Sequence, residues 1–143
     1  MNKIELLAPA GDLEKLKVAI LYGANAVFIG GLKFSLRSRA SNFTIADIKE
    51  ACDFAHKHNA KIHVTCNIVM HNNDTNGILD YLKELEACGV DCIIASSLYI
   101  LLVFLNNQLD LQYHPHEILY LQLHILFYLG YVQILLLLLF HQE

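Results

Sequence analysis

Two arginines stand two residues apart in the stretch FSLRSRASNF, residues 34–43. Arg37 and Arg39 are a fifth of all the basic side chains in the chain. A guanidinium is a planar fork of donors that suits a phosphate or a carboxylate. With the amide of Asn42, the pair is the natural candidate for holding a phosphate or a carboxylate. The plainer reading is a solvated loop with Phe34 and Phe43 tucked into the core.

Other residues invite weaker readings. Gly11 and Gly30-Gly31 look like glycines that cradle phosphate, but no G-x-G-x-x-G spacing is present, and tight turns explain them better. Asn67 ends an apolar run and is a candidate to face a ligand or to cap. His63 lies inside that run, where a buried, hydrogen-bonded histidine is the expectation. His114-Pro115-His116 has the look of a metal pair, yet alternate residues at a proline rarely converge without further ligands, so no metal site is expected. Cys52, Cys66, Cys88 and Cys92 lack paired-motif spacing, and reduced thiols in a cytoplasmic protein are the default. No Ser/His/Asp or Cys/His arrangement can be assembled from spacing.

The elements that position these residues alternate. Ile4 to Ala8 reads as a strand closed by Pro9-Ala10-Gly11. Asp12 caps a helix with Leu13, Leu16 and Ile20 at helical spacing and Gly23 as its stop. Ala26 to Ile29 is a second strand. Thr44 to Asp47 reads as a capping box ahead of a helix whose apolar stripe is Ile48, Ala51, Cys52 and Ala55. Lys61 to Cys66 is a third strand, Ile78, Leu82 and Leu85 mark a third helix stopping at Gly89, and Asp91 to Ala95 is a fourth strand. Repeated βα units require right-handed crossovers and a parallel sheet. A β/α barrel and an open doubly wound sheet both fit this pattern. In either, ligand groups gather where strands end and helices begin: Pro9 to Gly11, Gly30 to Asn42, Asn67 to Asn73, and Ser96-Ser97.

Several of these motifs occur together in one known family. Leu6-Leu7-Ala8-Pro9-Ala10-Gly11-Asp12, Tyr22-Gly23-Ala24-Asn25-Ala26-Val27-Phe28-Ile29-Gly30-Gly31, the FSLRSRASNF stretch and Lys61-Ile62-His63-Val64-Thr65-Cys66-Asn67 closely resemble the amino end of the collagenase-like peptidases. These form peptidase family thirty-two of the unassigned catalytic type. The resemblance covers residues 4–100, and Asn25 stands where the family usually has Asp. It implies about four βα units of a TIM-type β/α barrel, and a protease or a protein that hydroxylates a uridine of tRNA or a cytidine of 23S rRNA. The implied partners are a peptide or a structured RNA. Intact relatives are implied to carry an iron–sulfur cluster and, in some, to use prephenate; the cluster's Cys-rich motif should lie beyond residue 143, so no cofactor is expected on this chain.

The composition breaks after this part. All ten Lys and Arg lie between Lys3 and Lys83, and from Leu98 onward the only charged residues are Asp110, Glu117 and Glu143. Of those last 46 residues, 16 are leucine, whereas about a quarter of a soluble domain is charged. Residues 1–100 therefore read as a partial barrel domain and 101–143 as an aberrant Leu-rich tail, truncated or frameshifted near residue 102. The rival is a membrane segment over residues 118–140, long enough to span a bilayer but interrupted by Gln122, His124 and Gln133. A third reading is a half-barrel binding module that needs a partner chain. Open sheet edges would also favour self-association. A full barrel needs about 250 residues, so the 143-residue chain is expected to be inactive alone, and its net charge of -4 gives no bulk attraction for nucleic acid.

Overall fold

The computed structural model describes residues 5–35, 42–68, 77–107 and 109–115. The chain alternates strand and helix throughout: β1 (Leu7–Pro9), α1 (Leu13–Leu21), β2 (Ala26–Gly30), α2 (Ile45–Lys57), β3 (Lys61–Cys66), α3 (Ile78–Cys88), β4 (Cys92–Ala95), α4 (Leu98–Asn107) and β5 (Gln112–Pro115). The five strands form one parallel sheet in the order β1-β2-β3-β4-β5.

That order separates the two architectures left open by the sequence pattern. A doubly wound sheet reverses its strand order and places helices on both faces. Here the order is strictly sequential, and each helix touches the next, α1 with α2, α2 with α3 and α3 with α4. All four therefore lie on one side of the sheet, which is the winding of part of a β/α barrel.

Helix starts are set by the residues the sequence marks. Asp12 accepts from the Lys15 amide (2.8 Å) and caps α1. Thr44 and Asp47 form the reciprocal capping box of α2, with Asp47 N–H donating to Thr44 Oγ1 (3.2 Å) and Thr44 N–H donating to Asp47 Oδ2 (2.9 Å). Gly89 ends α3 with φ of 85°, a left-handed conformation that costs glycine nothing.

The core lies between sheet and helices. Val27, Ile29, Ile62, Val64, Cys66, Ile93 and Ala95 face the helices and meet Leu16, Ile48, Leu82 and Leu85, all buried. The alternate strand residues Ala26, His63, Thr65 and Cys92 point the other way and are also buried. Strands covered on both faces explain why the sequence shows continuous apolar runs rather than alternation.

The bottom of the sheet is tied by two polar residues. Asp91 Oδ2 accepts from the Ile62 amide (2.8 Å) and lies 3.0 Å from His56 Nε2, joining the starts of β3 and β4 to the end of α2. Asn25 Oδ1 accepts from the Leu6 amide (3.0 Å), and the Leu6 carbonyl accepts from Asn25 N–H (2.9 Å) and Ala26 N–H (3.1 Å). An acceptor oxygen is all this position needs, so Asn serves where the family usually has Asp.

Residue 100, expected as the end of the barrel-like part, falls inside α4. The βα alternation continues through α4 into β5, which pairs in register with β4 from Cys92↔Gln112 to Ala95↔Pro115. Among the described residues no helix is long and apolar enough to cross a membrane. The run 118–140 lies outside them.

Candidate functional site at the strand ends

The carboxyl ends of the strands converge on one face, and the β2–α2 connection is its best-defined part. Phe43 N–H donates to the Gly30 carbonyl (2.9 Å) and Leu32 N–H donates to the Phe43 carbonyl (3.2 Å), so residues 32–43 leave and rejoin the sheet at one point. The entering side is fixed to β3. Phe34 adopts a φ of 58°, its carbonyl accepts from Ile68 N–H (3.2 Å), and its ring packs on Tyr81 with centroids 5.4 Å apart. Thr65 Oγ1 donates to the Ile29 carbonyl (3.2 Å), which leaves its oxygen to accept from Ser35 Oγ (3.3 Å).

Arg37 and Arg39 themselves lie outside the described residues. The structure does define the roots from which they rise: Ser35 and Phe34 on one side, Asn42 and Phe43 on the other. Asn42 is half-buried beside this junction, with its Oδ1 inaccessible to solvent. Asn67 is half-buried immediately after β3, one residue beyond the Cys66↔Ala95 pair. Gly11 follows β1 and is half-buried.

Gly31 has a packing role that the sequence conceals. A Cβ built on it would overlap the Tyr81 hydroxyl and lie 3.2 Å from Tyr81 Cζ. Tyr81 is 2% exposed, its hydroxyl has no hydrogen-bond partner among the described residues, and burial pushes its ionisation well above the usual phenol range. The contact joins residues 50 positions apart, on β2's end and in α3, and no local spacing could have announced it.

His63 is 2% exposed in the middle of β3, as expected of a core histidine, with Glu5 Oε1 3.8 Å from its Nε2. His114 and Pro115 belong to β5, and His116 lies outside the described residues.

The thiols do not suit an iron–sulfur cluster. Cys66 faces the helices from β3, whereas Cys92 stands on the opposite face of β4; Cys52 and Cys88 belong to α2 and α3. Burial pushes the Cys66 thiol up to about 12, and burial with the nearby Asp91 carboxylate does the same to Cys52. A cluster ligand must be a thiolate. Among the described residues, no three His, Cys, Asp or Glu side chains gather around one point.

The family model for peptidase family U32 matches residues 11–119. The chain belongs to peptidase family U32. The match reaches past α4 and β5, so the helix and strand beyond residue 100 fall within the family's span. Among U32 relatives, the tRNA hydroxylation protein P1 of Bacillus subtilis is 57% identical over 95 residues, covering 66% of this chain and 22% of that protein. An uncharacterized protease of Methanocaldococcus jannaschii is 38% identical over 114 residues, 80% of this chain and 28% of that protein. A 23S rRNA 5-hydroxycytidine synthase of Escherichia coli is 41% identical over 100 residues, 70% of this chain and 15% of that protein. The chain thus spans between 15% and 28% of the length of these three U32 proteins.

Proposed function

We propose that this chain is the amino-terminal portion of an RNA-hydroxylation protein of family U32, acting on tRNA, and that it supplies the first strand-end turns of the catalytic barrel. The observation that carries this reading is the 57% identity to the Bacillus subtilis tRNA hydroxylation protein P1 over 95 residues.

In this reading Arg37 and Arg39 hold an RNA phosphate or the carboxylate of a prephenate-like co-substrate, with Asn42 and Asn67 as hydrogen-bonding neighbours. Gly11 and Gly31 shape the turns beside them. The pinned roots at Phe34, Ser35 and Phe43 support this: a site built on fixed ends loses less entropy on binding. The four free thiols suit a reducing cytoplasm.

The remaining barrel strands close the sheet, and without them the chain is inactive. The open edge at β1 carries Leu6, 58% exposed, and Leu7, 41% exposed, and this is where the missing strands dock or where copies of the chain associate. We expected a frame shift near residue 102; the family match runs to residue 119, so a shift would lie beyond that point, and the encoding DNA read in all three frames decides whether one accounts for the Leu-rich tail.

The test is a chimera in which this chain's matching residues replace those of the Bacillus subtilis P1 protein, expressed in a strain lacking both P1 and its relative P2. Hydroxylated nucleoside in total tRNA, measured by mass spectrometry, supports the reading. Peptide hydrolysis by the same purified chimera without tRNA hydroxylation would replace it with the protease reading.

A further inference from the structure

We propose that Phe34 is a positioning residue that locks the β2–α2 turn to the β3–α3 turn, so that a ligand held by the first is aligned on the second. The inference rests on the reading that the strand-end turns hold the substrate. Among the described residues, only Phe34 and Asn59 combine a side chain with a left-handed backbone, at φ of 58° and 56°. Asn59 follows the end of α2, where asparagine tolerates that conformation. Phenylalanine does not share the tolerance, and a bulky side chain adopts such a φ only where its surroundings impose it. Glycine would sit there without strain. The ring is what a glycine could not supply.

The ring packs on Tyr81 of α3, with centroids 5.4 Å apart and planes tilted by 46°. Tyr81 is itself buried and set against Gly31, so the contact gives Phe34 a fixed seat. The left-handed backbone then presents the Phe34 carbonyl to the end of β3, where Ile68 N–H donates to it (3.2 Å). One residue on, Ser35 Oγ lies 3.3 Å from Thr65 Oγ1. Ser35 precedes the segment that carries Arg37 and Arg39, and Ile68 directly follows Asn67. The two bonds thus tie the turns together at the points where each leaves the sheet. Binding groups mounted on one braced joint need less ordering when a ligand bridges them. Phe34 touches no ligand in this account; it acts through the turns that carry Arg37, Arg39 and Asn67.

The experiment compares wild type with Phe34→Gly, which allows the same backbone but removes the ring, and with Phe34→Tyr, which keeps the ring. In the full chain, followed by amide hydrogen exchange, Ile68 should exchange about tenfold faster in Phe34→Gly. The Val64 and Ile93 amides should be unchanged and report an intact sheet, and Phe34→Tyr should match wild type. In the purified chimera with the Bacillus subtilis P1 protein, Phe34→Gly should raise KM for tRNA about tenfold while kcat stays within about twofold. Phe34→Tyr should restore KM, which a general loss of stability would not explain. Equal Ile68 exchange in wild type and a folded Phe34→Gly chain, or an unchanged KM in that chimera, would overturn the proposal and leave the ring a packing residue. Should Phe34→Gly fail to fold, wild-type exchange decides: slow exchange at Ile68 supports the lock, and exchange as fast as in an unstructured chain overturns it. A wild-type chimera that hydroxylates no tRNA sinks the tRNA reading alone, and the Ile68 comparison still decides the role of Phe34.

Discussion

The hydroxyl of Tyr81 occupies the space in which a side chain on Gly31 would begin. Glycine at that position lets α3 approach the end of β2, and Phe34 closes over the pair. The strand-end turn that leads to the arginine stretch is therefore braced from the helix layer as well as from β3.

Gly31→Ala should destabilise the chain by about 1–3 kcal/mol, because the Tyr81 ring is buried and has little room to retreat. Tyr81→Phe alone should be neutral or stabilising by up to about 1 kcal/mol, since the hydroxyl has no partner to lose among the described residues. In the double variant much of the Gly31→Ala loss should return. Urea unfolding of the four proteins reads this as a non-additive cycle; strictly additive changes would show that the two residues do not collide.

Asn25 acts through one acceptor oxygen. Asn25→Asp should change stability by less than about 0.5 kcal/mol, and Asn25→Ala should cost about 1 kcal/mol, the value of a lost hydrogen bond. Thermal unfolding of both variants checks this, and an equal loss in both would deny the acceptor its role.

The capping box predicts an acid-sensitive contribution. Side-chain and backbone hydrogen bonds from Thr44 hold the Asp47 carboxyl below its usual value of 3.8. A depressed folded-state value means that the stabilisation is fully present above 3.8 and fades as pH falls through the folded value. Asp47→Asn should therefore lower stability near neutral pH, and the gap from wild type should close below about pH 3.8. A gap that is constant with pH would show that charge plays no part in this cap.

Burial makes the thiols of Cys52 and Cys66 poor nucleophiles, with values pushed up to about 12. In native protein at pH 8, alkylation of these two should be slow and should become rapid in denaturant. Rapid native labelling of Cys66 would mean that β3 opens or that its thiol is activated.

Much of the scaffold was legible because its signals are local. Asp12, Thr44, Asp47 and Gly89 sit at the helix ends that their chemistry dictates, and Ile48, Ala51, Cys52 and Ala55 are the buried residues of α2. What was missed lacks local contrast. Helix α4 is apolar all round, so no wet face marks its period, and β5 follows in a stretch without lysine or arginine. The choice of barrel winding over a doubly wound sheet needed the strand order, which periodicity does not carry. The pairs Gly31–Tyr81, Thr65–Ser35 and Asp91–His56 join residues 30 or more positions apart, and only the folded chain brings them together.

The most direct test of the account is the amount of hydroxylated nucleoside in tRNA from the Bacillus subtilis strain that lacks P1 and P2. With the chimera carrying this chain's residues, the account predicts restored hydroxylation, a sharp loss on replacing both Arg37 and Arg39 by Ala, and none from the 143-residue chain alone. A soluble, folded chimera that leaves tRNA unmodified, or full hydroxylation by the 143-residue chain alone, would contradict it.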